Sequence, residues 1–172
     1  MTISELQIQL DISLGNEIEV LKQHAGKTSY GYLFVDSNDG QCYLFGMNGK
    51  LDDIRKVKNI ENYAFDGYAS LKSIIIPSSV KSIGDYAFYN CKSLESIMIP
   101  DSVESIGKYV FQGCTSLKSI TIPDSVESIR NGAFWYCTSL NEVIFKGKTI
   151  GKVKAIEYYP WGIHAAGFIK CR

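Results

Sequence analysis

LKSIIIPSSVKSIGDYAFYNCKS, residues 71–93, runs without a gap into LESIMIPDSVESIGKYVFQGCTS, residues 94–116, and then into LKSITIPDSVESIRNGAFWYCTS, residues 117–139. The three stretches align position by position at a period of twenty-three residues. Self-similarity at a fixed period of this size means a stacked array of structural units, and it outranks any local motif. In the middle repeat the fixed apolar positions are Leu94, Ile97, Ile99, Val103, Ile106, Val110, Phe111 and Cys114.

The spacing inside a repeat predicts its parts. Ile97 and Ile99 are two apart, the spacing of one face of a strand. Pro100 ends that strand, because proline has no N–H to offer a ladder. Val103 and Ile106, three apart, fit a turn or a short extended step. Gly107 is expected to supply a backbone conformation that a β-carbon resists. Tyr109 to Cys114 has short helical spacing and predicts one helical turn. A single unit cannot bury its own apolar face, whereas stacked units can. Equivalent residues then form columns about 4.8 Å apart: Ile74, Ile97, Ile120; Val80, Val103, Val126; Phe88, Phe111, Phe134.

The pattern LxxIxIPxxVxxIgxxAFxxCxx resembles the bacterial surface-antigen (BspA-like, Treponema pallidum type) leucine-rich repeats. In the first full repeat the match rests on Leu71, Ile74, Ile76, Pro77, Val80, Ile83, Gly84, Ala87, Phe88 and Cys91. It is strong over 71–139 and weaker over 48–70 and 140–145. The resemblance implies an α/β leucine-rich-repeat solenoid with a parallel sheet on its concave side and short helical turns on its convex side. It also implies a role in binding other macromolecules; many relatives are exported surface proteins.

Composition sets bounds. A chain of 172 residues suits one domain of ordinary size, and at 45% hydrophobic it can bury a core. Eighteen basic and eighteen acidic residues leave a formal net charge of zero. No global field therefore draws the protein to nucleic acid or to an anionic membrane. The opening MTISELQIQL is not a basic stretch followed by an apolar run, and no run reaches transmembrane length. These features predict a cytoplasmic protein, or a cell-surface one if the chain is trimmed. Of five cysteines, Cys91, Cys114 and Cys137 repeat with the period, and Cys42 and Cys171 stand alone. They are expected to be reduced, the column as small buried thiols.

Around the repeats lie two non-repeating ends. The reading divides the chain into an N-terminal cap (1–47), a solenoid (48–145) and a C-terminal cap (146–172). Alternation of Leu6, Ile8, Leu10, Ile12 and Leu14 with polar residues predicts a strand; the capping-box sequence Thr2-Ile3-Ser4-Glu5 offers a helix instead. Asn16 can cap a short helix from Glu17 to about Ala25, ended by Gly26. Asp39-Gly40 between two apolar runs predicts a hairpin over 30–47. Residues 48–70 read as a degenerate repeat, with Leu51 under Ile74, Val57 under Val80 and Ile60 under Ile83. There Asp53 stands in place of Ile76 and Tyr68 in the cysteine column, so an irregular strand is expected. In the third full repeat Arg130 replaces the Gly84/Gly107 position, which predicts a shift of the turn by a residue or two. Tyr159-Pro160-Trp161-Gly162 resembles a segment that often ends repeats of this kind.

Motifs that carry chemistry are incomplete. Gly26-Lys27-Thr28 and Gly147-Lys148-Thr149 lack the first glycine of a phosphate-binding loop, with Leu21 and Glu142 in its place. His24 and His164 are far apart in sequence. A Cys42–His24 nucleophile pair has no flanking signature and no third orienting residue. The periodic serines Ser73, Ser96 and Ser119 read as scaffold or surface. No catalytic residue, cofactor or metal site is expected, and the reading is non-enzymatic.

What varies within the strands is more informative. Ser73, Ile75, Ser96, Met98, Ser119, Thr121, Glu142 and Ile144 are expected on the concave side, the face through which solenoids bind. Apolar residues exposed there mark an interaction site. The competing reading makes them strand-forming filler, covered by a terminal segment. Secondary candidates are Tyr89 and Trp135 on the convex side, and the basic run Lys146, Lys148, Lys152, Lys154. The expected function is a protein–protein interaction module working through the concave face. The alternative is a small intracellular phage- or pathogen-encoded effector that blocks a host protein or nucleoprotein machine. Nucleic acid is expected only as part of such a nucleoprotein, no membrane partner is expected, and a homodimer through exposed sheet faces is an option.

Overall fold

A twenty-three-residue period requires residues that far apart to meet, and in the computed structural model they do. It describes residues 1–12, 17–157, 159, 161–163 and 169–172. The chain starts with helices α1 (Ile3–Ile12) and α2 (Glu17–His24). An antiparallel sheet of β1 (Ala25–Thr28), β2 (Gly31–Val35), β3 (Cys42–Gly46) and β4 (Leu51–Asp52) follows. Helix α1 corrects the strand expected from the alternation that begins at Leu6. The capping box decides it: Glu5 N–H donates to Thr2 Oγ1 and Thr2 N–H to the Glu5 carboxylate. As a helix the segment buries Leu6 completely and leaves Ile8 58% exposed, which is why its pattern reads poorly as helical. Leu14 and Asn16 lie outside the described residues. The helix at 17 ends on His24 and passes directly into β1, a strand the sequence reading took for a helix end. The predicted hairpin is β2–β3, paired from Gly31↔Gly46 to Val35↔Cys42.

The degenerate repeat is split between two sheets. Leu51 does not point inward under Ile74: it is 61% exposed, because β4 pairs with β3 instead of joining the stack. Asp53 causes the break. Its carboxylate accepts the Arg55 N–H and caps a 3₁₀ turn over Ile54–Lys56. From Val57 onward the chain is in register, with Val57, Ile60 and Phe65 buried.

Each later rung has three sides. The short extended step around Val103–Ile106 is a second parallel sheet, made of β5 (Asn59–Ile60), β7 (Ser82–Ile83), β9 (Ser105–Ile106) and β11 (Ser128–Ile129). The concave side carries β6 (Ser73–Ile75), β8 (Ser96–Met98), β10 (Ser119–Ile122) and β12 (Glu142–Phe145). Its ladders join β6 to β8, β10 to β12, and β12 to the terminal strand β13 (Ile169–Cys171). The short helical turns expected on the convex side are single turns bonded both within and between rungs. Ala64 N–H reaches back to Glu61 O, while Tyr63, Phe65 and Gly67 donate to Asp85, Ala87 and Tyr89 of the next rung. Left-handed residues make this alternation. One column is Tyr63, Tyr86, Tyr109 and Gly132, with φ of 60°, 58°, 57° and 67°; the other is Gly67, Asn90, Gly113 and Tyr136.

Columns hold the interior. Phe65, Phe88, Phe111 and Phe134 stack at 5.2, 5.7 and 5.6 Å. The thiols of Cys91, Cys114 and Cys137 donate to Phe65, Phe88 and Phe111 carbonyls. Ser79, Ser102 and Ser125 each place Oγ 2.7 Å from a valine carbonyl of the preceding rung. Gly84 and Gly107 do not have positive φ, which corrects the expected reason for them. They are glycines because the preceding rung passes too close: a β-carbon at Gly84 would lie 2.7 Å from Asn62 N, and one at Gly107 equally near Asp85 N. Nor does Arg130 shift the turn. Its N–H still donates to Ile106 O, and Gly132 takes the left-handed position.

The chain after 145 closes on the last rung. Helix α3 (Ile150–Lys154) is capped by Thr149. Trp161 is fully buried, 5.5 Å from Phe145, with its indole N–H on Glu157 O and its carbonyl taking the Phe134 N–H. Pro160 and Tyr158 are outside the described residues.

Candidate functional site

Strand pleat sets what the concave side offers. Ile74, Ile97, Ile120 and Val143 face the core, so their neighbours must face out. Ser73 and Ile75 pair with Ser96 and Met98, and Ser119 and Thr121 with Glu142 and Ile144. The eight residues thus share one side, in two blocks. Met98 stands out at 61% exposed; Ile75, Thr121 and Ile144 are half-buried. Beside Met98 lies an open recess of ≈ 390 Å³ whose walls include Cys42, Ile54, Ile75, Pro77 and Pro100, with Arg55 also lining it.

Both ends of this face are occupied. At the first rung the β2–β3 loop reaches over it: Ile75 N–H donates to Gly40 O, and the Cys42 thiol to Ile75 O. At the far end Lys170 of β13 pairs with Ile144 in register, and its ammonium, with Arg172 at 3.7 Å, engages Glu142. The Lys170 contact holds the Glu142 carboxyl below its usual range. Glu142 is therefore an end-of-stack ion pair more than a free contact residue.

The secondary candidates separate. Lys148 is only 11% exposed at its side chain; its ammonium meets Asp124 at 2.9 Å and closes the end of the stack. Lys146, Lys152 and Lys154 are exposed. Tyr89 and Trp135 belong to a larger aromatic surface that the sequence reading missed. Tyr63 and Tyr86 stack at 4.9 Å and 4°, Tyr86 and Tyr109 lie at 5.1 Å, and Tyr109 meets Trp135 edge-on at 5.5 Å. Tyr89 sits edge-on to Tyr86 at 5.6 Å. Tyrosine at the same position of three successive rungs was the available clue. A left-handed backbone disfavours such residues by roughly 1–2 kcal/mol each, of the order that ring pairing returns, about 0.5–1.5 kcal/mol.

The Cys42–His24 pair is not assembled. His24 lies two strand spacings from Cys42, about 10 Å, since Ala25 pairs with Phe34 and Phe34 with Tyr43. Burial pushes the Cys42 thiol up to about 12, so it is no thiolate near neutral pH. Burial, with the N-terminal amine, lowers the pKa of His24. The Tyr68 hydroxyl donates to the His24 carbonyl. Burial also pushes Cys91 and Cys137 up to about 12, and Cys114 further. His164 lies outside the described residues. Among the described residues no group of three or more His, Cys, Asp or Glu could hold a metal ion, and no helix is long and apolar enough to cross a membrane.

The sequence profile described as BspA type leucine rich repeat region (6 copies) matches residues 47–159. No curated protein matches the chain. Among solved structures it is similar to the leucine-rich repeat protein of T. pallidum, at 26% identity and a TM-score of 0.53 over 70% of this chain and 60% of that one. It is also similar to a leucine-rich repeat protein from Bacteroides capillosus, at 25% identity and a TM-score of 0.52 over 72% of this chain and 99% of that one. A leucine-rich cell surface protein from Faecalibacterium prausnitzii shares 29% identity at a TM-score of 0.52, with 72% of this chain matching 42% of that protein. The profile spans most of the chain and the three-sided rungs agree with it: the protein belongs to the BspA-type leucine-rich repeat family.

Proposed function

We propose that the protein is a non-enzymatic module that binds another protein through the concave side of its solenoid. In this reading residues 1–47 and 146–172 close the two ends of the array and leave its middle open. The observation that carries it is Met98, 61% exposed on a parallel sheet beside the apolar recess. Large apolar side chains in that setting mark interaction sites, and rigid rungs present them without an ordering cost at the moment of binding. Ser96, Ser119 and Thr121 surround the contact with hydroxyls, and Ile75 forms its wall. The resemblance to a cell surface protein supports an extracellular setting; five free thiols fit a reducing compartment better.

The test is affinity capture from lysate of the source cells with wild type beside Met98→Arg. A folded variant that loses the partner supports the concave site. A folded variant that keeps it moves the site elsewhere, and an unfolded one makes this column core. A partner that proves to be a second copy of the chain shows in sedimentation of the purified protein. The nucleoprotein-blocking alternative predicts affinity that falls steeply with salt.

A further inference from the structure

The convex aromatic stack has one open end. Tyr86 has Tyr63 at 4.9 Å on one side and Tyr109 at 5.1 Å on the other. Among the described residues Tyr63 has one ring neighbour, Tyr86, and it is 56% exposed. Its other face looks along the stack toward the position an earlier rung would fill. Among the described residues no earlier rung fills it; the Ser29 hydroxyl of the β1–β2 turn donates to the Glu61 carboxylate at 2.7 Å. We infer that this open face of Tyr63 is a second contact site, one that takes an arginine side chain from a protein partner.

Two observations carry it besides exposure. Tyr63 keeps a left-handed backbone at φ 60°, where Gly132 shows that the same position tolerates glycine. The ring is thus kept against local preference, and at Tyr63 only half of its stacking surface is used. Strain held without a full structural return marks functional positions. The second observation is charge. Glu61 lies two residues before Tyr63, and the exposed Asp66 follows in the same turn, its N–H on Tyr63 O. A π-face beside carboxylates favours a cation. A guanidinium, being planar, stacks on the ring while its edge donors reach a carboxylate; an ammonium cannot do both.

The test is NMR of the full chain with labelled tyrosine rings, titrated with hexa-arginine and, separately, hexa-lysine peptide. Hexa-arginine is expected to move the Tyr63 ring resonances saturably and hexa-lysine to move them less. Tyr63→Asn removes the ring and suits a left-handed backbone, as Asn90 does in the next column, so it keeps the melting temperature. It is expected to weaken hexa-arginine binding about two- to fivefold, the size of an exposed cation–π contact. Glu61→Gln is expected to weaken it in the same direction, and Met98→Arg to leave it unchanged, which separates this site from the concave one. Equal responses to both peptides, or hexa-arginine affinity unchanged in Tyr63→Asn, overturns the inference.

Discussion

The rung at 48–70 and the rung at 94–116 occupy successive places in one stack, yet different things hold them. The central rung is held by copies of itself. Phe111 stacks between Phe88 and Phe134, the Cys114 thiol reaches Phe88 O, and the Ser102 hydroxyl reaches Val80 O. The first rung has no earlier copy. Phe65 packs against Gly26, Tyr68 takes the cysteine column and bonds the His24 carbonyl, and Leu51 leaves for the antiparallel sheet. A period specifies a rung only where both neighbours obey it; at the boundary, non-repeating residues must supply the missing half.

The largest expected effect is at the centre. Phe111→Ala removes a fully buried ring from a stack that cannot collapse on either side, and should cost about 3–5 kcal/mol in urea unfolding. Phe65→Ala should cost less, since Tyr68 and the N-terminal sheet can close over it; an equal loss would erase the distinction between the rungs. Next is Gly84→Ala, whose β-carbon meets the backbone of the preceding rung at Asn62. It should cost about 1–3 kcal/mol. Gly67→Ala has nothing within 4 Å and only its φ of +68° against it, so about 1 kcal/mol is expected. Circular dichroism melts compare the two.

The smallest effect, absent at neutral pH, is alkaline. Cys91 and Cys137 ordinarily titrate near 9 and are pushed up to about 12. Between those values the unfolded chain has released protons that the folded chain still holds. Stability is therefore full below about pH 9 and falls as pH rises toward 12. Replacing Cys91, Cys114 and Cys137 together by Ala should flatten that part of the curve, measured as denaturation midpoint against pH. In the first rung Tyr68 stands where the thiol would be, and burial raises its hydroxyl too, so that rung adds to the same alkaline slope.

This difference also explains what the sequence disclosed. Interior columns such as Ile74–Ile97–Ile120 and the cysteines are legible because a buried site constrains every copy alike. Gly84 was legible as necessary but not for the right reason: a close approach between rungs has no signature distinct from a left-handed turn. The tyrosine column is poorly legible because the residue before it changes from Asn62 to Asp85 to Lys108 and the column lies outside the buried apolar positions. The first helix was misread because a helix with one exposed isoleucine and a strand with one wet face share an alternating sequence; only the Thr2–Glu5 pair separates them. On the concave side the facing direction of Met98 followed from the period, but the β2–β3 loop over Ile75 and the Lys170–Glu142 pair come from the non-repeating ends, and no period reports them.

The most direct measurement places a photo-crosslinking side chain, p-benzoylphenylalanine, at position 98 in one variant and at the exposed Glu127, just before β11 of the second sheet, in another, with irradiation in the source cells. The account predicts a discrete adduct with one partner protein from position 98 and none from position 127. An adduct from position 127 alone, or the same adduct from both, contradicts it.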